Sequence, residues 1–197
     1  MSYELTKPSP KDLQAFLKRL SRQLQPLDAW GSFRVGAKSA AVTLILYRHR
    51  DHLQVPFVVR RADLPSHPGQ VGLPGGIVRQ GESAWEAAAR EAEEEIGVSA
   101  SRLSPLGAGK PLYAAVTNFS VVPFVAWLPQ GNPHFRPDPR EVQTVLEVSL
   151  GRLLDREAWL ETAHPFPGRH LPVEDTMIWG LTAYLLEDLL PRISAAW

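Results

Sequence analysis

Glu91, Glu94 and Glu95 stand three and four positions apart in a run that also holds a fourth acid, Glu93. On an α-helix, which turns about 100° per residue, the first three share one face. Like charges placed so closely repel by roughly a few tenths of a kcal/mol per pair on an exposed helix. A divalent cation would remove that repulsion, because Mg²⁺ prefers oxygen ligands and is held by one or two carboxylates together with substrate phosphates. Glu93 points elsewhere and reads as solvated. Taken alone, a Glu-rich helix is most often just a solvated face. Leu73-Pro74-Gly75-Gly76, shortly upstream, is by itself more often a turn than a phosphate cradle.

The carboxylates need elements to position them. A helix is expected from about Ser83 to Ile96, with Gly97 ending it in the left-handed conformation. Ala84, Ala87 and Ala88 let that helix pack closely on a neighbour, and Trp85 adds apolar area. A loop rich in Pro and Gly covers Leu64 to Gly76. Ala40 to Tyr47 is a nearly continuous apolar run, read as a buried strand. It leads through the turn His49–His52 to a second strand, Val55 to Val59, as a hairpin. Further strands are expected at Val121–Leu128 and Val142–Val148, with a short helix after Ser149. Near the N-terminus Ser9 caps a helix with Pro10 at its first position and Asp12 in the capping box. Leu13, Phe16, Leu17, Leu20 and Leu24 form its apolar stripe, and Pro26 stops it. A last helix is expected from about Thr176 to Leu190, with Ile178, Leu181, Leu185 and Leu189 inward and Pro191 just past its end. Strands interleaved with few helices, without regular βαβ alternation, favour a mixed sheet between helices, an α/β fold.

Composition narrows the function classes. The 197 residues carry 21 basic and 21 acidic side chains, so nothing electrostatic argues for nucleic acid or an anionic membrane as partner. The chain has no cysteine, which excludes thiolate metal sites and cysteine nucleophiles. No apolar run reaches the roughly 18 residues of a membrane span. Met1 to Pro8 lack the apolar stretch of a secretory signal, so the expected location is the cytoplasm. Proline, at 18 of 197, predicts long irregular loops.

The joint spacing is more specific than any part of it. Gly76, five residues, Glu82, seven residues, Arg90-Glu91-Ala92, one residue, Glu94-Glu95, one residue, Gly97-Val98 resembles a complete Nudix box. Seven fixed identities at one spacing arise by chance less than roughly once in a million chains. The resemblance implies the Nudix fold, a mixed β-sheet sandwiched between helices (α/β/α), in residues 31–197, after an N-terminal helical extension in 1–30. It implies Mg²⁺ or Mn²⁺ on Glu91 and Glu95, with Glu94 a third ligand or a bridge through water and the Gly76 carbonyl completing the site. Arg90 and Glu82 would orient those carboxylates by hydrogen bonding. The implied reaction is attack of water on a nucleoside diphosphate linked to another group, and a homodimer is one assembly the resemblance leaves open.

Upstream of the box, Arg61-Ala62, Gly69 and Pro74-Gly75-Gly76 resemble the signature of coenzyme A pyrophosphatases. Two positions depart from it. Pro65 stands where the signature has arginine, removing one phosphate contact, and Leu73 replaces phenylalanine while keeping an apolar plug. Asn118-Phe119, Pro123-Phe124-Val125, Glu141-Val142 and Ile178-Trp179-Gly180 resemble further segments of that subgroup. Read from the residues, Ile178-Trp179-Gly180, Phe119 and Phe124 suit packing better than ligand contact, and Glu141 suits a surface or hydrogen-bonding role better than a metal-proximal one. Discriminating for CoA needs a cation for its 3′-phosphate and an open groove for its arm. Arg60, Arg61, Arg79 and His67 are the candidate substrate contacts. Alternating strand residues face opposite sides, so Arg60 and Arg61 cannot both reach the cleft, and the resemblance favours Arg61. The expected products are 3′,5′-ADP and 4′-phosphopantetheine or its acyl form. Alternatives are an ADP-ribose or nucleotide-sugar diphosphatase, and a silent Nudix ligand-binding domain. Silent domains lose box carboxylates, and Glu82, Glu91, Glu94 and Glu95 all stand.

Overall fold

The computed structural model describes residues 9–29, 36–129, 131, 133–162 and 168–197. Helix α1 (Pro10–Gln23) is followed by strands β1 (Lys38–His49), β2 (His52–Arg60), β3 (Val71–Gly72) and β4 (Gly75–Ile77), then helix α2 (Ala84–Ile96). Strands β5 (Ser104–Ala108), β6 (Leu112–Ala114), β7 (Phe119–Leu128) and β8 (Val142–Ser149) lead to the short helix α3 (Leu150–Leu154). Strands β9 (Leu160–Thr162), β10 (Gly168–Val173) and β11 (Thr176–Ile178) precede helix α4 (Gly180–Ala196).

The expected hairpin of β1 and β2 pairs only at its closed end, from Tyr47 opposite Gln54 to His49 opposite His52. Beyond it the strands part and take different neighbours. β1 runs parallel to β7 and holds β4 antiparallel at Ala40–Val42, while β2 pairs antiparallel with β8 and β3. With β5 and β6 also on β7, the sheet is mixed, as expected. Alternation along β1 explains why its sequence is apolar throughout. Leu44 and Leu46 enter the core shared with α1, α3 and α4, whereas Ile45 and Tyr47 enter the one beneath α2. Both faces are covered, so neither needs polar residues.

The Ser9 cap holds, its Oγ accepting the Asp12 N–H at 3.2 Å, and Leu13, Phe16 and Leu20 are buried. Phe16 meets Trp197 edge-on at 4.8 Å between ring centres, so α1 is built into the main core beside α4. The expected boundary between residues 30 and 31, and Met1 to Pro8, lie outside the described residues.

The last helix departs from expectation. Thr176–Ile178 is strand β11, paired with β10, and the helix starts only at Gly180. It then runs through Pro191 to Ala196. Ile193 and Ala196 are fully buried, and that packing outweighs the hydrogen bond the proline removes. Its buried face is Ala183, Leu185, Leu186, Leu189 and Ile193, not Leu181, which is exposed.

Candidate active site

Helix α2 is fixed at both ends by its own sequence. Ser83 Oγ accepts the Glu86 N–H at 3.2 Å and the Ser83 N–H donates to Glu86 at 2.8 Å, a reciprocal cap worth about 1 kcal/mol. Gly97, at φ 71°, donates to the Glu93 carbonyl at 3.1 Å, and a Cβ there would lie 2.9 Å from that of Arg136. The Arg136 and Asp138 N–H groups meet the Ile96 and Glu95 carbonyls, so the helix end is satisfied from the segment before β8. Ala87, Ala88 and Ala92 are fully buried and allow α2 to lie close on the sheet; Trp85 packs edge-on against Phe124. Glu93 is exposed as expected, yet it also accepts the Ala100 N–H at 3.0 Å.

Close approach of α2 to β4 creates the site. A Cβ on Gly76 would sit 2.5 Å from the Glu91 carboxyl carbon, so only glycine lets that carboxylate lie against the strand. One residue earlier, the Gly75 N–H donates to Glu95 Oε2 at 3.0 Å. Glu95 is 4% exposed. Burial pushes its carboxyl up to about 8 against the opposing Gly75 N–H; Glu91 and Glu141 add to the rise and Arg60 resists it.

Arg90 organises the exposed side. It grips Glu82 with two hydrogen bonds, at 2.8 and 3.1 Å, and donates to the Ile77 carbonyl at 3.1 Å. Arg90 holds the Glu82 carboxyl below the usual range despite partial burial. Its Nη1 also lies 2.6 Å from Glu91 and 3.0 Å from Glu94. Among the described residues no three acidic or histidine side chains already close on one point in ion-holding geometry; Arg90 occupies the point where Glu91 and Glu94 converge. The donor set nonetheless suits a hard divalent ion: oxygens only, one of them a buried carboxylate that a cation would keep ionised, beside a glycine that leaves room.

The remaining candidates divide. Arg60, not Arg61, reaches the carboxylates: its Nη1 lies 4.0 Å from Glu95 and 3.8 Å from Glu141. Strand parity decides this, since Arg60 shares the α2-facing side of β2 with Val58. Arg61 turns away to clasp Asp63 at 2.6 and 2.8 Å and the Pro139 carbonyl at 3.0 Å. Arg79 pairs with Glu94 on the solvent side. His67, in a left-handed conformation at φ 55°, bonds through Nδ1 with Gln70. Leu73 is buried, as a plug should be.

A cavity of about 650 Å³ opens beside Arg60. Its walls come from β3, from β6 and the turn after it, and from the start of α4. Trp179 and Gly180, which the residues alone suited to packing, line it, as does Leu181. None of these three stood among the candidate contacts; the signal available was the Ile178-Trp179-Gly180 resemblance. Ile178 itself is fully buried on β11, and Phe124 is core as expected.

A family model of the NUDIX domain matches residues 37–171. The chain belongs to the Nudix family. It is 32% identical to the uncharacterized Nudix hydrolase NudL of Yersinia enterocolitica, over 98% of this chain and 100% of that protein. It is also 32% identical to the protein of the same name from Escherichia coli K12, over 79% of this chain and 83% of that one. The MutT protein of Methanosarcina mazei Go1 aligns with a TM-score of 0.53 over 83% of this chain and 97% of that chain, at 21% identity. The NUDIX domain of Shewanella oneidensis NrtR, solved with ADP ribose, gives 0.53 over 83% and 92%, at 18% identity. Those two likenesses establish the Nudix fold. Nudix hydrolases use divalent metal ions, in keeping with the oxygen donors on α2. No helix among the described residues is long and apolar enough to cross a membrane.

Proposed function

We propose that this Nudix protein is a metal-dependent diphosphatase of CoA or acyl-CoA, releasing 3′,5′-ADP and 4′-phosphopantetheine or its acyl form. The observation that carries the reading is continuity. The segment resembling CoA pyrophosphatases, Arg61 to Gly76, runs from the end of β2 past the cavity to the glycine that meets Glu91. One stretch of chain therefore borders both the acidic corner and the space beside it.

Glu91 and Glu95, with Glu94 beside them, would hold Mg²⁺ or Mn²⁺. When bound, such an ion supplies neutralising charge for phosphoryl oxygens and acidifies a water. Everything else falls to the chain. Glu82 locks Arg90, and Arg90 in turn restricts Glu91 and Glu94 to a common place. The Gly75 N–H fixes the Glu95 carboxylate. Arg60 sets a guanidinium between that carboxylate and the cavity, where it can bind a substrate phosphate.

The test is the ranking of kcat/KM with Mg²⁺ across CoA, acyl-CoAs, NADH, ADP-ribose and diadenosine polyphosphates. CoA or an acyl-CoA should lead. Faster cleavage of ADP-ribose would move the protein to an ADP-ribose or nucleotide-sugar diphosphatase using the same carboxylates.

A further inference from the structure

We infer that the cavity beside Arg60 takes the pantetheine arm of the substrate together with an acyl chain on its sulfur, and that the protein selects acyl-CoA with an extended apolar chain, such as decanoyl-CoA, over free CoA. The inference rests on the diphosphatase reading for the position of the diphosphate, and the cavity supplies the rest.

Position comes first. Arg60 lines the cavity and lies 4.0 Å from Glu95, so this space adjoins the acidic corner and is open to one of the two substituents of a diphosphate held there. CoA offers two: an adenosine bearing a dianionic 3′-phosphate, and an uncharged arm. His67 aside, Arg60 is the charged residue in the lining, and it already faces both Glu95 and Glu141. A second phosphate entering there would find no uncommitted cation among the described lining residues. The walls themselves are apolar and aromatic, including Val71, Leu112 and Trp179.

The rim extends that surface outward. Val116, Leu181 and Tyr184 all line the cavity and are exposed at 101%, 37% and 49%. Val116 sits in the turn between β6 and β7, and that turn is pinned. The Asn118 carbonyl accepts the Lys38 N–H at 2.9 Å, its side chain donates to the Gly36 carbonyl at 3.0 Å, and Tyr113 donates to its Oδ1 at 3.0 Å. A valine held in water by a fixed turn, next to two more apolar residues and an apolar cavity, marks a binding surface rather than scattered exposure. Pantetheine fills the cavity, and the acyl chain lies over Val116 and Leu181.

Calorimetric titration of metal-free protein with CoA, acetyl-CoA and decanoyl-CoA, below micelle formation, tests this directly. Decanoyl-CoA should bind at least about tenfold more tightly than CoA, with acetyl-CoA between, since each methylene removed from water adds to affinity. Val116→Asp and Leu181→Asp should each reduce that ratio to less than about threefold; both side chains are exposed, and Asp in the first turn of α4 suits the helix. Leu160→Asp, on an exposed leucine of β9 outside the cavity, should leave the ratio intact. Equal affinity for CoA and decanoyl-CoA overturns the inference. So does a preference that both rim variants leave unchanged, or rim variants that weaken 3′,5′-ADP instead, which would put adenosine in the cavity. Mg²⁺-dependent cleavage of the same compounds is read separately. Acyl-selective binding without cleavage would sustain the cavity assignment and defeat the diphosphatase reading.

Discussion

Where β4 meets α2, a glycine and a carboxylate touch with no room for a methyl group; a few residues away, about 650 Å³ stands open between β3, β6 and α4. The corner is built from one continuous segment, Gly75 to Gly97, and nearly every polar group in it has a named partner. The cavity is assembled from three separate stretches of chain and lined by side chains that other apolar residues could replace. Crowding and hydrogen bonding at the corner fix residue identity. The open cavity fixes only character, and that freedom suits a part of the molecule that chooses among substrates while the corner performs the same chemistry on all of them.

That contrast can be broken from either side. The largest effect is expected at the corner: Glu91→Gln and Glu95→Gln should each lower turnover by roughly two orders of magnitude or more with the far-ultraviolet circular dichroism unchanged, and EDTA should abolish activity. Each keeps shape while removing a negative charge from the ion's surroundings. Gly76→Ala comes next. Its Cβ would overlap the Glu91 carboxylate, the end of a flexible side chain that can swing away, so urea unfolding should change little while activity falls nearly as far as on losing that carboxylate. Wild-type turnover in this variant would show that Glu91 need not lie against β4. Glu82→Gln frees Arg90 without touching an ion ligand, and a loss of roughly 10–100-fold in kcat is expected, read by steady-state kinetics.

The smallest effect belongs to the cavity's frame. Asp188 on α4 accepts the Lys110 N–H at 2.9 Å just before β6 and pairs with Arg192, tying two cavity walls together. Partial burial works against its ionisation, but the Arg192 guanidinium and the Lys110 N–H outweigh it and hold the carboxyl below its ordinary range. A depressed carboxyl stabilises the fold above the unfolded-state pKa, and that contribution disappears as pH falls through the folded-state value. Asp188→Asn should therefore cost about 1 kcal/mol near pH 7, and the gap from wild type should close in acid, as thermal melts across pH would show. A constant gap at all pH values would remove the charge from the explanation.

The same contrast explains what could be read from sequence. The carboxylate spacing, the Ser9 and Gly97 caps and the buried apolar strand β1 are local patterns, and each appears in the fold as expected; the Ser83 capping box was equally local and went unread. β4 and β5 pair with strands well separated along the chain, while β6 and β9–β11 pair with near neighbours but are too short to show a period. Reading Thr176–Ile178 as helix failed because three residues carry no period of their own: Ile178 is inward, but on a short strand that turns back on β10 after two residues. Arg60 and Arg61 turned on strand parity, which adjacent identical residues cannot reveal. Trp179 joined the cavity only because α4 begins after it rather than before.

On the proposed function, the α2 carboxylates drive metal-dependent cleavage of a CoA diphosphate. Chromatography of CoA and decanoyl-CoA incubated with wild-type protein and with Glu95→Gln, each with Mg²⁺ and with EDTA, tests it most directly. Wild type with Mg²⁺ should release 3′,5′-ADP and the matching phosphopantetheine, and no other combination should. Products forming equally in EDTA or with Glu95→Gln, or intact CoA throughout while ADP-ribose is cleaved, would contradict it.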